Sequence, residues 1–268
     1  MLECVVNISQ GSDRDLVEAL ALGVSRDLLD LHSDGDHNRS VFTLVGELAP
    51  RVLAREAVAK INLNEHSGVH PRLGVVDVVP FVPLAESNMT DALRARDEFA
   101  AWSVDTLNVP CFFYGPERSL PFIRKHAFKS LTPDIGTSTP HPTAGAICVG
   151  ARSILVAYNI WLADTTLAEA QIIAKLVRSD SVRALALQVG EFTQISMNLI
   201  DINMSGPADV YGLIASHATI KKAELVGLAT AQTLAPISKN DWSHLDLGIE
   251  KTIESRIARR AKILRGAN

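Results

Sequence analysis

The stretch Asn64–Leu84, NEHSGVHPRLGVVDVVPFVPL, concentrates the side chains best suited to chemistry. Glu65, His66, His70 and Arg72 come first, interrupted by Gly68, Pro71 and Gly74, and an apolar run follows at once. Imidazole is the side chain whose two protonation states coexist near neutral pH, so a stiff loop holding histidine beside arginine at a strand's mouth suits proton transfer next to an anion. His66 and His70 are four apart, a spacing that on a helix would point both at a zinc ion. Gly68 and Pro71 argue against a continuous helix there. With His32, Asp34, Asp36 and His37 added, no metal signature emerges, and we expect no metal. Plain loop hydrogen bonding by these histidines is the competing reading.

Asp77 lies inside the apolar run, where a buried carboxylate requires an arginine, a histidine or backbone N–H groups as partner. It is either a structural anchor or part of a site. Arg39 follows a Gly-containing turn and is placed to grip a carboxylate in bidentate fashion, or to be a solvated turn residue. Dinucleotide, P-loop, nucleophile-elbow and kinase motifs are missing from the sequence.

Two segments with the same order of elements position these residues. The first has a strand from Glu3 to Ile8, a helix capped by Ser12 and running to about Ser25, strands Leu28–His32 and Arg39–Val45, a helix from Pro50 to Ile61, and a strand Gly74–Val82. The second has a strand Ser153–Leu162, a helix capped by Asp164, a hairpin of 182–189 with 192–202 about Gly190-Glu191, a helix from Pro207 to about His217, and a strand Glu224–Leu228. Each is β-α-β-β-α-β, the ferredoxin-like motif. The likeness is one of order, not of residue identity. Between them come a helix over 90–107, a strand Val109–Tyr114, a short helix near Pro121 and a loop from Thr132 to Gly145. A basic amphipathic helix over 245–265 closes the chain. The expected class is therefore α/β (α+β), with two ferredoxin-like subdomains, 1–152 and 153–268, and a ligand cleft between them.

Composition agrees with a packed protein. The 268 residues are 47% hydrophobic and 21% charged, and the net charge of −4 argues against a nucleic-acid footprint. The basic residues between Arg256 and Arg265 read as a solvated helix face. Three scattered cysteines, with Cys4 and Cys111 in apolar runs, suit buried thiols in a reducing compartment. Neither a leader nor a membrane span is legible, so a cytoplasmic location is expected.

GVHPRLGVVDVVPFVP, with Gly68, His70, Pro71, Arg72, Gly74, Asp77, Pro80, Phe81 and Pro83, resembles the G-x-H-P-R-x-G-x-x-D-x-x-P-F-x-P pattern of the formiminotransferase domain family, found alone or joined to a cyclodeaminase. The likeness covers most of the chain. ECVVNISQG (3–11), NRSVFTLVG (38–46), PCFFYG (110–115), PDIGTSTPHPTAGAICVGARSILVAYNIWL (133–162) and QISMNLID (194–201) are similar to family segments.

The resemblance implies transfer of a formimino group from N-formimino-L-glutamate to tetrahydrofolate as co-substrate, in a homodimer, as part of histidine degradation. His70 is then the catalytic acid/base. Asn7, His32, Asn38, Arg39, His66, Arg72 and Asp77 are implied to contact substrate. Gly136, Ser138, Thr139, Pro142, Thr143 and Gly145 form the implied folate loop. Val6, Ile8, Gln10, His32, His141 and Ala144 depart from the family pattern. They motivate two alternatives: a formimino- or formyl-transferase acting on another substrate in a specialised pathway, and a non-catalytic binding protein on the same fold.

Overall fold

A computed structural model describes residues 1–266. The chain divides into one compact unit, Met1–Ser153, and a second from Ile154 onward.

The first unit opens with β1 Leu2–Ile8, α1 Arg14–Gly23, β2 Leu28–Asp34, β3 Arg39–Val45, α2 Ala49–Lys60 and β4 Val76–Pro83. It continues with α3 Met89–Trp102, prolonged by a π turn over Ser103–Leu107, then β5 Cys111–Tyr114, α4 Leu120–His126 and β6 Ile147–Ala151. Its sheet has the order β2-β3-β1-β4-β6-β5. The first four strands pair antiparallel in the expected ferredoxin-like arrangement. The sheet is wider than the sequence suggested, because β6 pairs parallel with β4, and β5 parallel with β6. The main core includes Cys4, Val6, Ile8, Leu20, Phe42, Leu53, Val79, Phe81 and Phe99. A smaller one gathers Val78, Phe112, Ile123 and Cys148. All three cysteines are buried, which pushes their thiols up.

The second unit comprises β7 Val156–Leu162, α5 Leu167–Val177, β8 Val182–Val189, β9 Phe192–Leu199, α6 Pro207–Ala215 and β10 Ile220–Val226. Its antiparallel order β10-β7-β9-β8 is again ferredoxin-like. A short helix α7 Ala231–Leu234 and the terminal α8 Ile253–Gly266 follow.

Several boundaries differ from expectation for local reasons. Asp13, not Ser12, caps α1 by accepting from the Leu16 N–H. The Ser12 hydroxyl instead contacts the side chains of Gln10 and Asn38. Thr166 displaces Asp164 at the start of α5, because Thr166 and Glu169 form a reciprocal capping box while Asp164 takes a left-handed φ of 49°. Strand β10 begins at Ile220, four residues early. Its exposed Lys221 and Lys222 mask an edge strand, a usual place for lysine. Leu245 and Leu247 are buried at the end of the turn over 241–246, and a 3-10 turn Ile249–Lys251 follows, so α8 starts only at Ile253. Among the described residues no helix is long and apolar enough to cross a membrane.

Candidate active site

Strand β4 carries one irregularity, and it falls at Asp77. Asn7 of β1 pairs with Val78, but the next residue, Ile8, pairs with Val76. One step on β1 thus spans two on β4, and Asp77 is the extra residue of a β-bulge. Alternation breaks there: Val76, Val79 and Phe81 enter the main core and Val78 the smaller one. The bulge re-aims the Asp77 carboxylate into a cluster of cations.

Asp77 is fully buried and satisfied three ways. Arg39 Nη1 donates to its Oδ2 at 2.8 Å, Arg124 Nη2 donates to the same oxygen at 2.5 Å, and the Leu73 N–H donates to Oδ1 at 2.7 Å. Burial alone would push its carboxyl up. The two guanidinium charges and the Leu73 N–H outweigh that and hold it below the usual carboxylate range. Arg39 also donates from Nε and Nη2 to Asn7 Oδ1, at 3.2 and 2.9 Å. Asn7, Arg39, Asp77 and Arg124 therefore form one network, in which two guanidinium charges face one carboxylate.

His70 stands beside this network, on the loop before β4. Its Nδ1 lies 2.7 Å from the Pro71 carbonyl oxygen. A carbonyl only accepts, so Nδ1 carries the hydrogen and Nε2 is left with its lone pair. Burial, then the Arg39 and Arg124 charges, push the ring down to about 3, with Asp77 opposing. The imidazole is half-buried and neutral at pH 7, with Nε2 as its basic atom. His66 is fixed the other way round: its Nε2 donates to the Asn38 carbonyl at 2.8 Å, leaving Nδ1 an unpartnered acceptor. Burial also lowers the His66 ring.

Two other expected site residues hold the loop itself. Arg72 donates to three loop carbonyls, those of Gly68 at 3.1 Å, His70 at 3.3 Å and His66 at 3.0 Å. Asn38, at a left-handed φ of 46°, accepts from the Gly11 and Ser12 N–H groups and donates to the Ser67 carbonyl. Gly68 is required here: a Cβ would meet the His37 carbonyl oxygen at 2.4 Å. We expect Gly68→Ala to lower kcat at least tenfold and the melting temperature by a few degrees, because backbone must move to admit the methyl. Wild-type kcat in that variant would contradict the packing.

His32 sits apart from the network. It pairs with Val41, which on its other side pairs with Asn7, so His32 shares their face of the sheet at two strand spacings, roughly 10 Å away. The 136–145 loop is stitched to the His70 loop at its base. Leu63 N–H donates to the Thr143 carbonyl, Asn64 Nδ2 donates to the Pro142 carbonyl, and Gly74 bridges Gly145. Gly136, Ser138, Thr139 and Pro142 are exposed, and Gly145 is buried. The His141 Nδ1 accepts from the Ala144 N–H and closes the turn. Arg124 escaped the sequence reading: its only signal was the demand of Asp77 for a cation. Among the described residues no three His, Cys, Asp or Glu side chains are grouped to hold a metal ion.

One of the two β-α-β-β-α-β units thus presents a neutral imidazole beside clustered arginines. Residues 1–152 match the formiminotransferase domain, N-terminal subdomain. The chain is 31% identical over 277 residues to the glutamate formimidoyltransferase of Streptococcus pyogenes serotype M1, covering 89% of this chain and 92% of that protein. It is 32% identical to the glutamate formimidoyltransferase of Thermoplasma acidophilum, covering 89% and 91%. With the formimidoyltransferase-cyclodeaminase of Sus scrofa it shares 30% identity, covering 87% of this chain but 51% of that protein. The chain belongs to the formiminotransferase family and is a transferase of one-carbon groups.

Proposed function

We propose that this enzyme moves the formimino group of N-formimino-L-glutamate to tetrahydrofolate, with His70 as general base and then general acid. The observation that carries the reading is the tautomer of His70: Nδ1–H is held on the Pro71 carbonyl, so a bare Nε2 stands beside a net positive cluster. Tetrahydrofolate would supply N5 as the nucleophile toward the amidine carbon. His70 Nε2 takes the proton that N5 loses, and returns one to the glutamate amine as its C–N bond breaks. Arg39, Arg72 and Arg124 place positive charge where the two carboxylates of formiminoglutamate can be attracted. The guanidinium groups of Arg39 and Arg72 are already engaged, so they act more through charge than through a free bidentate fork. The exposed hydroxyls of Ser138 and Thr139 suit a ligand as rich in donors and acceptors as a folate. The reading carries with it a cytoplasmic homodimer acting in histidine degradation, with residues from 153 on as the C-terminal subdomain.

Incubation with formiminoglutamate and tetrahydrofolate, followed by acid conversion to methenyl-tetrahydrofolate, tests it. Catalytic accumulation of that chromophore is expected. Its absence, with no tetrahydrofolate binding by titration, would mean a different acceptor.

Arg124 gives a second check. Its charge helps hold His70 low, so Arg124→Gln is expected to move the acid limb of kcat/KM to higher pH. An unmoved limb would separate His70 from Arg124.

A further inference from the structure

His37 occupies the turn after β2 and is only 7% exposed. Its N–H donates to Asp34 Oδ1 at 2.8 Å, which fixes the turn, yet its ring Nε2 is sealed from solvent with no hydrogen-bond partner. Its ring centroid lies 5.9 Å from that of His70, with the planes tilted by 43°. At that separation rotation alone brings facing nitrogens to about 3.6 Å, and an approach of the rings by roughly half an ångström more makes a hydrogen bond. A buried nitrogen without a partner costs stability in the resting protein, so it calls for an explanation in another state.

That state exists in the reaction. When His70 takes a proton at Nε2 it becomes a cation among Arg39 and Arg124, with Asp77 alone offsetting them. The new N–H needs an acceptor. We propose that His37 is the positioning residue that supplies it: His37 Nε2 accepts the N–H that His70 acquires, and the two rings share that proton until it leaves. The inference rests on the formimino-transfer reading. The balance is simple. The proton lost by the attacking nitrogen bonds to His70 Nε2, the ring then turns so that this N–H rests on the His37 lone pair, and the return swing delivers the proton to the departing amine as the C–N bond breaks. Neither ring is consumed, and the role requires the His37 hydrogen on Nδ1.

The test compares wild type, His37→Phe, His37→Gln and His70→Ala in the formiminoglutamate–tetrahydrofolate assay. Losing a hydrogen bond to a charged group predicts that His37→Phe lowers kcat roughly 10- to 100-fold. Both KM values should stay within about twofold, the pattern of an interaction made only in the transition state. The melting temperature should hold or rise, since an unpaired polar atom is removed. His37→Gln, whose amide oxygen can take the place of Nε2, should recover part of kcat, and it carries the comparison if His37→Phe does not fold. His37→Phe as fast as wild type beside an inactive His70→Ala would overturn the inference and leave the functional reading standing. Equal kcat loss in the Phe and Gln variants, with lowered melting temperatures, would also overturn it in favour of a structural role. An inactive wild type overturns both.

Discussion

His70→Ala is expected to reduce kcat about 100- to 10,000-fold, the range over which a positioned acid/base acts, while leaving the melting temperature nearly unchanged. The two halves of that expectation come from the same geometry. The ring is half-buried and makes one local hydrogen bond, to the adjacent Pro71 carbonyl. Its removal therefore leaves the main core untouched and the Arg39–Asp77–Arg124 network intact. Steady-state kinetics with both substrates varied should show kcat falling far more than either KM changes. An alanine enzyme with wild-type kcat would mean that another group moves the proton.

Asp77→Asn should have the largest effect on stability. The substitution keeps the shape of the side chain and removes the negative charge from a fully buried position. Arg39 and Arg124 are then left facing each other without compensation. Breaking a buried ion network by removing one partner costs about 3–5 kcal/mol. In a unit of this size that lowers the melting temperature by roughly 10 °C. The sign of the pH dependence follows from the carboxyl being held below its unfolded value of about 3.9. Its contribution is fully present above that value and is lost as pH falls through the folded value. Wild type should therefore lose stability steeply below about pH 4, and the asparagine variant should lose less over the same interval. Thermal unfolding of both proteins from pH 3 to pH 7 measures this, and parallel curves would show that Asp77 is not the group responsible. Activity should fall as well, because Arg39 and Arg124 are positioned by this carboxylate.

Much of this arrangement was legible in the residues. The two β-α-β-β-α-β orders followed from periodicity, caps and turns, and both sheets have the corresponding strand order. The need of Asp77 for an arginine or an N–H followed from desolvation alone, and the structure provides both kinds of partner. What could not be read depended on contacts distant in sequence. Arg124 reaches Asp77 across 47 residues from a seven-residue helix, and nothing in LPFIRKH marks it as a partner. Strand β6, ICVGA, is short and follows a Pro- and Thr-rich loop, so it merges with the next apolar run until its pairing with β4 and β5 is known. The bulge at Asp77 depends on register with β1, which one strand's sequence does not contain. Thr166 as the cap of α5 was readable, since T-L-A-E is a capping-box pattern and outranks an isolated aspartate two residues earlier. The engagement of Arg72 with three carbonyls of its own loop was not, because arginine after His-Pro suits a ligand contact equally well.

The protonation state of His70 tests the account most directly. Nitrogen-15 NMR of the imidazole, assigned by comparison with His70→Ala, should show a neutral ring at pH 7 with the hydrogen on Nδ1 and Nε2 bare. That signal should not titrate between pH 5 and pH 9, given a ring pushed down to about 3. A hydrogen on Nε2, or a titration midpoint near the ordinary histidine value of about 6.5, would contradict it.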